Sequence, residues 1–220
     1  MKPLVIFGLG DIAQLAHFYF SHDSDFRVVA FTADPEYVTE SELCGLPVVP
    51  FDKVAELYPP DENYLFLALS YAKLNQVRKG KYLAAKALGY RIASYVSSRA
   101  TIFSGFEAGE NCFILEDNTI QPFASIGNNV TLWSGNHVGH HSRIDDHCFI
   151  ASHVVISGGV TIEEACFIGV NASLRDHVRI GARCVIGAGT LVLKDTEPDG
   201  VYIGTATQRS GVPSSRLQKI

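Results

Sequence analysis

The chain is poor in most of what usually announces a function. Its 220 residues include one Met and one Trp, and only 19% are charged, for a net charge of -5 at pH 7. A nucleic-acid surface needs a basic field, so a pI near 5.9 argues against a polyanion partner. No apolar run approaches the roughly 20 residues that span a bilayer, and the start Met1-Lys2-Pro3-Leu4-Val5-Ile6-Phe7-Gly8 turns to glycine too soon for a signal peptide. A cytoplasmic protein without membrane insertion is expected. There is no P-loop, no HExxH and no Ser/His/Asp order to favour an NTPase, a metalloprotease or a triad hydrolase. The five cysteines contain no Cys-x-x-Cys pair, so neither a metal nor a redox site is expected.

What the chain has is a period. From Ile102 to Val192 an aliphatic residue returns at every sixth place, and of those places only Ala108 is not Ile, Leu or Val. A helix repeats at 3.6 and a strand at 2, so neither gives that spacing. A three-sided β-helix does, with six residues per side, eighteen per turn and turns stacked at about 4.8 Å. A second phase, four residues after each aliphatic, is mostly small: Cys112, Ala124, Ser142, Cys148, Cys166, Ala172, Cys184. Close packing of a tight corner asks for that alternation of volumes. Cys112, Cys148, Cys166 and Cys184 differ by multiples of eighteen, share one internal edge and read as small hydrophobes. The fold class is a left-handed parallel β-helix of hexapeptide repeats over 98–220, preceded by an α/β unit over 1–97.

In that front unit Leu4-Val5-Ile6-Phe7 stops at Gly8-Leu9-Gly10-Asp11, and Ile12, Leu15, Ala16 and Tyr19 follow at helical spacing. Phe26 to Phe31 and Tyr64 to Leu69 read as further strands, with an amphipathic stretch from Leu74 to Leu88. The βαβ pattern predicts a small parallel sheet in which the glycine turn is either a tight turn alone or a seat for an anion on the helix N-terminus. Ala13 replaces the third glycine of a dinucleotide fingerprint, and Asp34 trails the second strand. Asn75 and Arg78, at i and i+3, form a second candidate patch for a phosphate or ribose, or else solvate a helix start.

Six of the eight histidines lie in the repeat: His137, His140, His141, His147, His153 and His177. With Val138 pointing inward, His140 stands on the outside and His141 follows towards the corner. Eighteen residues beyond His140 is Gly158, within Ser157-Gly158-Gly159, so the imidazole faces bare backbone whose N–H suits a developing oxyanion. A histidine titrating near neutrality can take a proton from an attacking amine or hydroxyl. His147 and His177 read as solvated or subunit-contact residues.

Together these residues resemble the bacterial hexapeptide acyltransferases that acetylate nucleotide-linked amino sugars, and the related sialic-acid O-acetyltransferases. The likeness runs from Gly8-Leu9-Gly10-Asp11 through the coils to Gly200-Val201-Tyr202-Ile203-Gly204. It implies an acetyl-CoA-dependent N-acetyltransferase acting on a nucleotide-linked amino-dideoxy sugar for surface-glycan synthesis, working as a homotrimer with acetyl-CoA between neighbouring prisms. By this resemblance His140 is the general base with His141 beside it, and Gly158 meets the thioester oxygen. Gly8, Gly10, Asp11, Asp34, Asn75 and Arg78 hold the nucleotide sugar, with Trp133, Asn136 and His137 near the acceptor. Gly158, Gly159, Gly169, Gly187, Ala188 and Lys194 fall on the CoA side. Three departures stand out: Gly139 and His141 flank the base where acids are usual, Trp133 replaces a small polar residue, and Gly204-Thr205-Ala206-Thr207-Gln208 lacks the usual Gly-x-Pro-Ala-Lys. An O-acetyltransferase of the sialic-acid type and a non-catalytic sugar-nucleotide scaffold are the alternatives.

Overall fold

A computed structural model describes residues 1–209 and 211–216. The front unit comprises β1 (Lys2–Phe7), α1 (Asp11–His22), β2 (Phe26–Ala33), β3 (Glu42–Leu43), β4 (Leu46–Pro50), α2 (Val54–Leu57), β5 (Tyr64–Leu67), α3 (Gln76–Ala87) and β6 (Arg91–Ile92). The strands form one sheet in the order β3-β4-β2-β1-β5-β6, parallel except for the β3–β4 pair. β1 is central because its last four residues are buried on both faces, as a continuous apolar run demands. α1 covers one face with Ala13, Ala16 and Phe20, the one-sided spacing of an amphipathic helix. Gly8 ends β1 with φ +128, and a methyl group there would lie 2.6 Å from the Ala68 carbonyl oxygen. α3 starts at Gln76 rather than Leu74 because Lys73, Leu74 and Asn75 are all left-handed, at φ 50, 51 and 64.

The repeat folds as a left-handed parallel β-helix of two-residue strands on three faces. One face, beginning at Tyr95–Val96 and running through Phe113–Ile114, Thr131–Leu132, Phe149–Ile150, Phe167–Ile168 and Val185–Ile186 to Val201–Tyr202, packs against the front unit and is called here the covered face. The histidine face carries Thr119–Ile120, His137–Val138, Val155–Ile156, Ser173–Leu174 and Leu191–Val192; the arginine face carries Ser125–Ile126, Arg143–Ile144, Thr161–Ile162 and Arg179–Ile180. Partners differ by eighteen throughout, as in Thr131↔Phe149 and Phe149↔Phe167. The aliphatic phase fills the prism from Ile114 to Val192. The four repeat cysteines are buried free thiols, each donating to a carbonyl further along the chain: Cys112 to Gly127, Cys148 to Glu163, Cys166 to Gly181 and Cys184 to Glu197.

A third phase escapes a reading by hydrophobicity alone. Every sixth residue from Gly105 to Gly189 has positive φ, one at each prism corner. Only glycine adopts this geometry freely, and Asn, Asp and His are the side chains that tolerate it best. His141, His147, His153 and His177 all occupy such corners, with Phe123, Ala165 and Arg183 the residues of less tolerant type. Much of the histidine enrichment is therefore corner geometry.

The joint between the two units corrects the expectation for Asn75 and Arg78. Both are buried, and both bond to the prism. Arg78 donates to the Asn129 carbonyl and side-chain oxygens, to Asn75 Oδ1 at 2.9 Å, and to the carbonyls of His147 and Cys148 at 3.2 Å each. Asn75 donates to the carbonyls of Ala165 and Cys166 at 3.2 and 3.1 Å. The pair locks α3 onto three successive coils at the corner between the arginine face and the covered face. Burial pushes the Arg78 pKa down to about 10, which leaves it charged at neutral pH. Around this anchor Lys86 and Tyr82 bond Glu110, and Lys79 pairs with Glu164 at 3.3 Å.

His147 is also part of the joint, against the expectation of a solvated surface residue. It is buried and accepts a hydrogen bond on Nδ1 from Asn129 Nδ2 at 2.9 Å, itself bonded to Asn111. Burial first, then the Lys79 ammonium, lowers its pKa from the ordinary 6.5.

Candidate active site

His140 and His141 form the corner turn between the histidine face and the arginine face, the edge opposite the covered face. The His140 ring lies against Gly158 one coil up: a methyl group on Gly158 would sit 2.6 Å from Cε1 and 2.7 Å from Nε2. Glycine at 158 thus makes the approach possible. Gly139 is equally constrained, since a methyl there would lie 2.6 Å from the Gly158 nitrogen. That contact leaves no room for the flanking acid usual in the resembled enzymes. His141, with φ 59, stands beside the His140 ring: the two Nδ1 atoms are 3.1 Å apart. The His141 ring rests on exposed Phe123, with centroids 4.7 Å apart, and the His140 backbone N–H donates to Gln121 at 2.9 Å.

The glycine pair beside this imidazole is held from both sides. Gly159 N–H donates to the His140 carbonyl at 2.8 Å, and His177 N–H donates to the Gly158 carbonyl at 3.0 Å. Among the described residues the Gly158 N–H itself donates to no protein acceptor. A ring nitrogen and an unspent N–H therefore share one exposed edge, the pair of groups that proton removal and oxyanion stabilisation require.

At the other side of the molecule, a cavity of about 300 Å³ opens over the glycine turn. It is lined by Gly8, Leu9, Gly10, Asp34, Leu69 and Lys81 among others, and Asp34 and Lys81 form an ion pair. The N–H groups of Leu9, Gly10, Asp11 and Ile12 have no backbone acceptor among the described residues, as expected at the start of a helix. The structure thus brings together Gly8, Gly10 and Asp34, with Asp11 exposed at the first helical position. A second cavity, of about 430 Å³, opens at the corner between the covered and histidine faces and includes Ile12, Tyr71, Trp133, Phe149, Phe167, Gly169 and Ala188 in its wall.

Other expected residues are dispersed. Asn136 is buried inside the prism, where its side chain bonds the Trp133 carbonyl and the Val154 N–H, so it is no acceptor contact. His137 is half-buried on the histidine face. Gly169 is pressed on the coil above, where a methyl would meet the Ala188 nitrogen at 2.6 Å; Gly187 lies under the Tyr202 carbonyl. Lys194 is exposed and, among the described residues, in no ion pair, whereas Arg183 is held by Asp199 at 2.6 and 2.8 Å. Arg175, not singled out in the sequence, is exposed one coil above Ser157 and, among the described residues, in no ion pair. Its place eighteen residues beyond Ser157 was the available signal.

Residues 123–158 and 159–194 match the family described as bacterial transferase hexapeptide (six repeats). Among solved structures the chain is similar to a mutant perosamine N-acetyltransferase from Caulobacter crescentus in complex with CoA and GDP-perosamine, at 23% identity and a TM-score of 0.82, with 93% of this chain and 94% of that one covered. It is similar to the acetyltransferase domain of PglB from Neisseria gonorrhoeae FA1090, at 22% identity and a TM-score of 0.80, covering 93% and 97%. WeeI from Acinetobacter baumannii AYE matches at 20% identity and a TM-score of 0.69, covering 93% and 97%. No curated protein sequence matches the chain. The similarity covers both units, front sheet and prism, in the same order.

Proposed function

We propose that the protein transfers the acetyl group of acetyl-CoA to the amino group of a nucleotide-linked amino sugar, with His140 as general base. The observation that carries this reading is the His140 imidazole lying on the bare backbone of Gly158 beside an uncommitted N–H. The structural relatives that hold CoA and GDP-perosamine support the choice of substrates. The residues fit such a co-substrate: the Gly158 N–H suits a thioester oxygen, and Arg175 and Lys194, on the coils above, are exposed cations, in no ion pair among the described residues, that suit phosphates.

For Nε2 of His140 to act as base, Nδ1 must carry the ring proton and donate it to Nδ1 of His141. The sugar amine attacks the thioester carbon, a C–N bond forms as the C–S bond breaks, and His140 takes the amine proton. Gly158 stabilises charge on the carbonyl oxygen, and the proton on His140 returns to the departing thiolate.

His140 sits on the edge opposite the covered face, so the nucleotide cavity of one chain faces away from its own base. A homotrimer solves this by setting the base edge of one copy against the front unit of the next. The test is CoA release from acetyl-CoA with amino and hydroxy nucleotide sugars. Release with amino sugars, reduced roughly 10²–10⁴-fold by His140→Ala, supports the reading. Release only with hydroxy sugars makes it an O-acetyltransferase, and none at all leaves a scaffold.

A further inference from the structure

We propose that Phe123 is a positioning residue for the transfer: its ring holds the plane of the His141 imidazole, so that His141 keeps the proton of His140 on Nδ1 and leaves Nε2 free to act as base. This rests on the transferase reading above and names what fixes the histidine pair. The first ground is strain. Phe123 has φ 67, and among the described residues it is the one Phe, Tyr or Trp in the left-handed region. A bulky residue there is destabilising and persists only where its surroundings or its function hold it. Burial does not offset the strain, because the side chain is 77% exposed. The same corner column carries Gly105 one coil below and Gly159 two coils above. The prism itself therefore asks for no ring at this place.

The second ground is contact. Phe123 precedes His141 by one full coil, and the two rings lie one above the other with centroids 4.7 Å apart and planes 37° from one another. The rest of the same turn serves the same pair. Gln121 accepts from the His140 backbone N–H at 2.9 Å, and the Pro122 carbonyl accepts from the His141 N–H at 3.4 Å. Three consecutive residues thus meet both histidines, two at the backbone and one at the ring. An imidazole free to turn about its Cβ–Cγ bond presents Cδ2 where Nδ1 stood, and His140 then loses the acceptor that keeps its proton on Nδ1. The Phe123 ring fixes the plane of His141, and the 3.1 Å approach of the two Nδ1 atoms chooses the edge. Phe123 acts through His141, as a support acts on a group that meets the base.

The test replaces Phe123 by Asn, a side chain at ease in this backbone but without a ring. Strain relief and loss of the ring then act in opposite directions. The melting temperature is expected to hold or rise, while kcat falls about 10- to 100-fold and KM for acetyl-CoA stays within about twofold. Phe123→Tyr is expected to recover most of kcat. Imidazole nitrogen NMR in alkaline buffer, with the His140 signals assigned by their loss in His140→Ala, reads the tautomer directly. The native protein is expected to show His140 protonated on Nδ1 alone, and Phe123→Asn a mixture of both tautomers. A melting temperature that falls with kcat would give Phe123 to the packing of the prism, and an assembly that dissociates in light scattering would give it to a subunit contact. Either result overturns the proposal, as does an unchanged kcat or an unchanged tautomer. If the native protein turns over no sugar, the transferase reading falls, and the tautomer comparison alone decides the role of Phe123.

Discussion

At His140 the surroundings distinguish the two ring nitrogens: Nδ1 meets His141, and Nε2 lies beside Gly158. Gly158→Ala is therefore a sharper probe than removal of the ring. Its methyl would intrude 2.7 Å from Nε2, forcing an exposed side chain aside while the backbone, not left-handed at 158, stays relaxed. Turnover should fall about 10²-fold, the scale of a 1 Å misplacement, with little change in melting temperature; a large loss of stability would show instead that Gly158 serves the prism. This pairing was legible in the sequence because the two residues differ by one period, eighteen. The His141 contribution was legible only as adjacency. That Gly139 must be glycine was hidden, since the contact that demands it is made to backbone on the next coil.

Among the elements, α3 shows what local pattern conceals. Asn75 and Arg78 at i and i+3 look the same whether they await an anion or grip another part of the chain, and their partners stand more than fifty residues away. Arg78→Leu should cost on the order of 3 kcal/mol in urea unfolding, because it strands buried acceptors on Asn75, Asn129, His147 and Cys148. Arg78→Lys should recover little, a single ammonium being unable to fork among them. The same joint titrates. His147 has a folded pKa below its unfolded value near 6.5, so the unfolded chain binds the extra proton between the two values. Its contribution is complete above about pH 6.5 and is lost as pH falls below that point. Unfolding measured at pH 7.5 and 5.5 should show the loss, and His147→Asn should lessen it. The aromatic cavity left one trace in the sequence, Phe149 and Phe167 separated by eighteen, but the rings that complete it, Tyr71 and Trp133, stand outside that phase.

For the whole molecule, the decisive relation is that His140 and the cavity over the glycine turn occupy opposite sides of one prism. Mixing His140→Ala chains with chains disabled at the front cavity by Asp34→Ala, after joint unfolding and refolding, should restore activity at about a quarter of the sites if each site joins two copies of a trimer. Recovery absent from a trimer verified by light scattering would place each site within a single copy. The prism also differs from most folds in how it measures distance. Its coils follow one another from Ile102 to Val192 without a single inserted residue, so height along the axis is a tally of rungs. Excising the eighteen residues 176–193 would bring Lys194 one rung nearer the His140 edge while every remaining corner kept its place. Reach towards a longer or shorter co-substrate is thus set by an integer, and a lineage can retune it in one genetic step without redesigning any contact below.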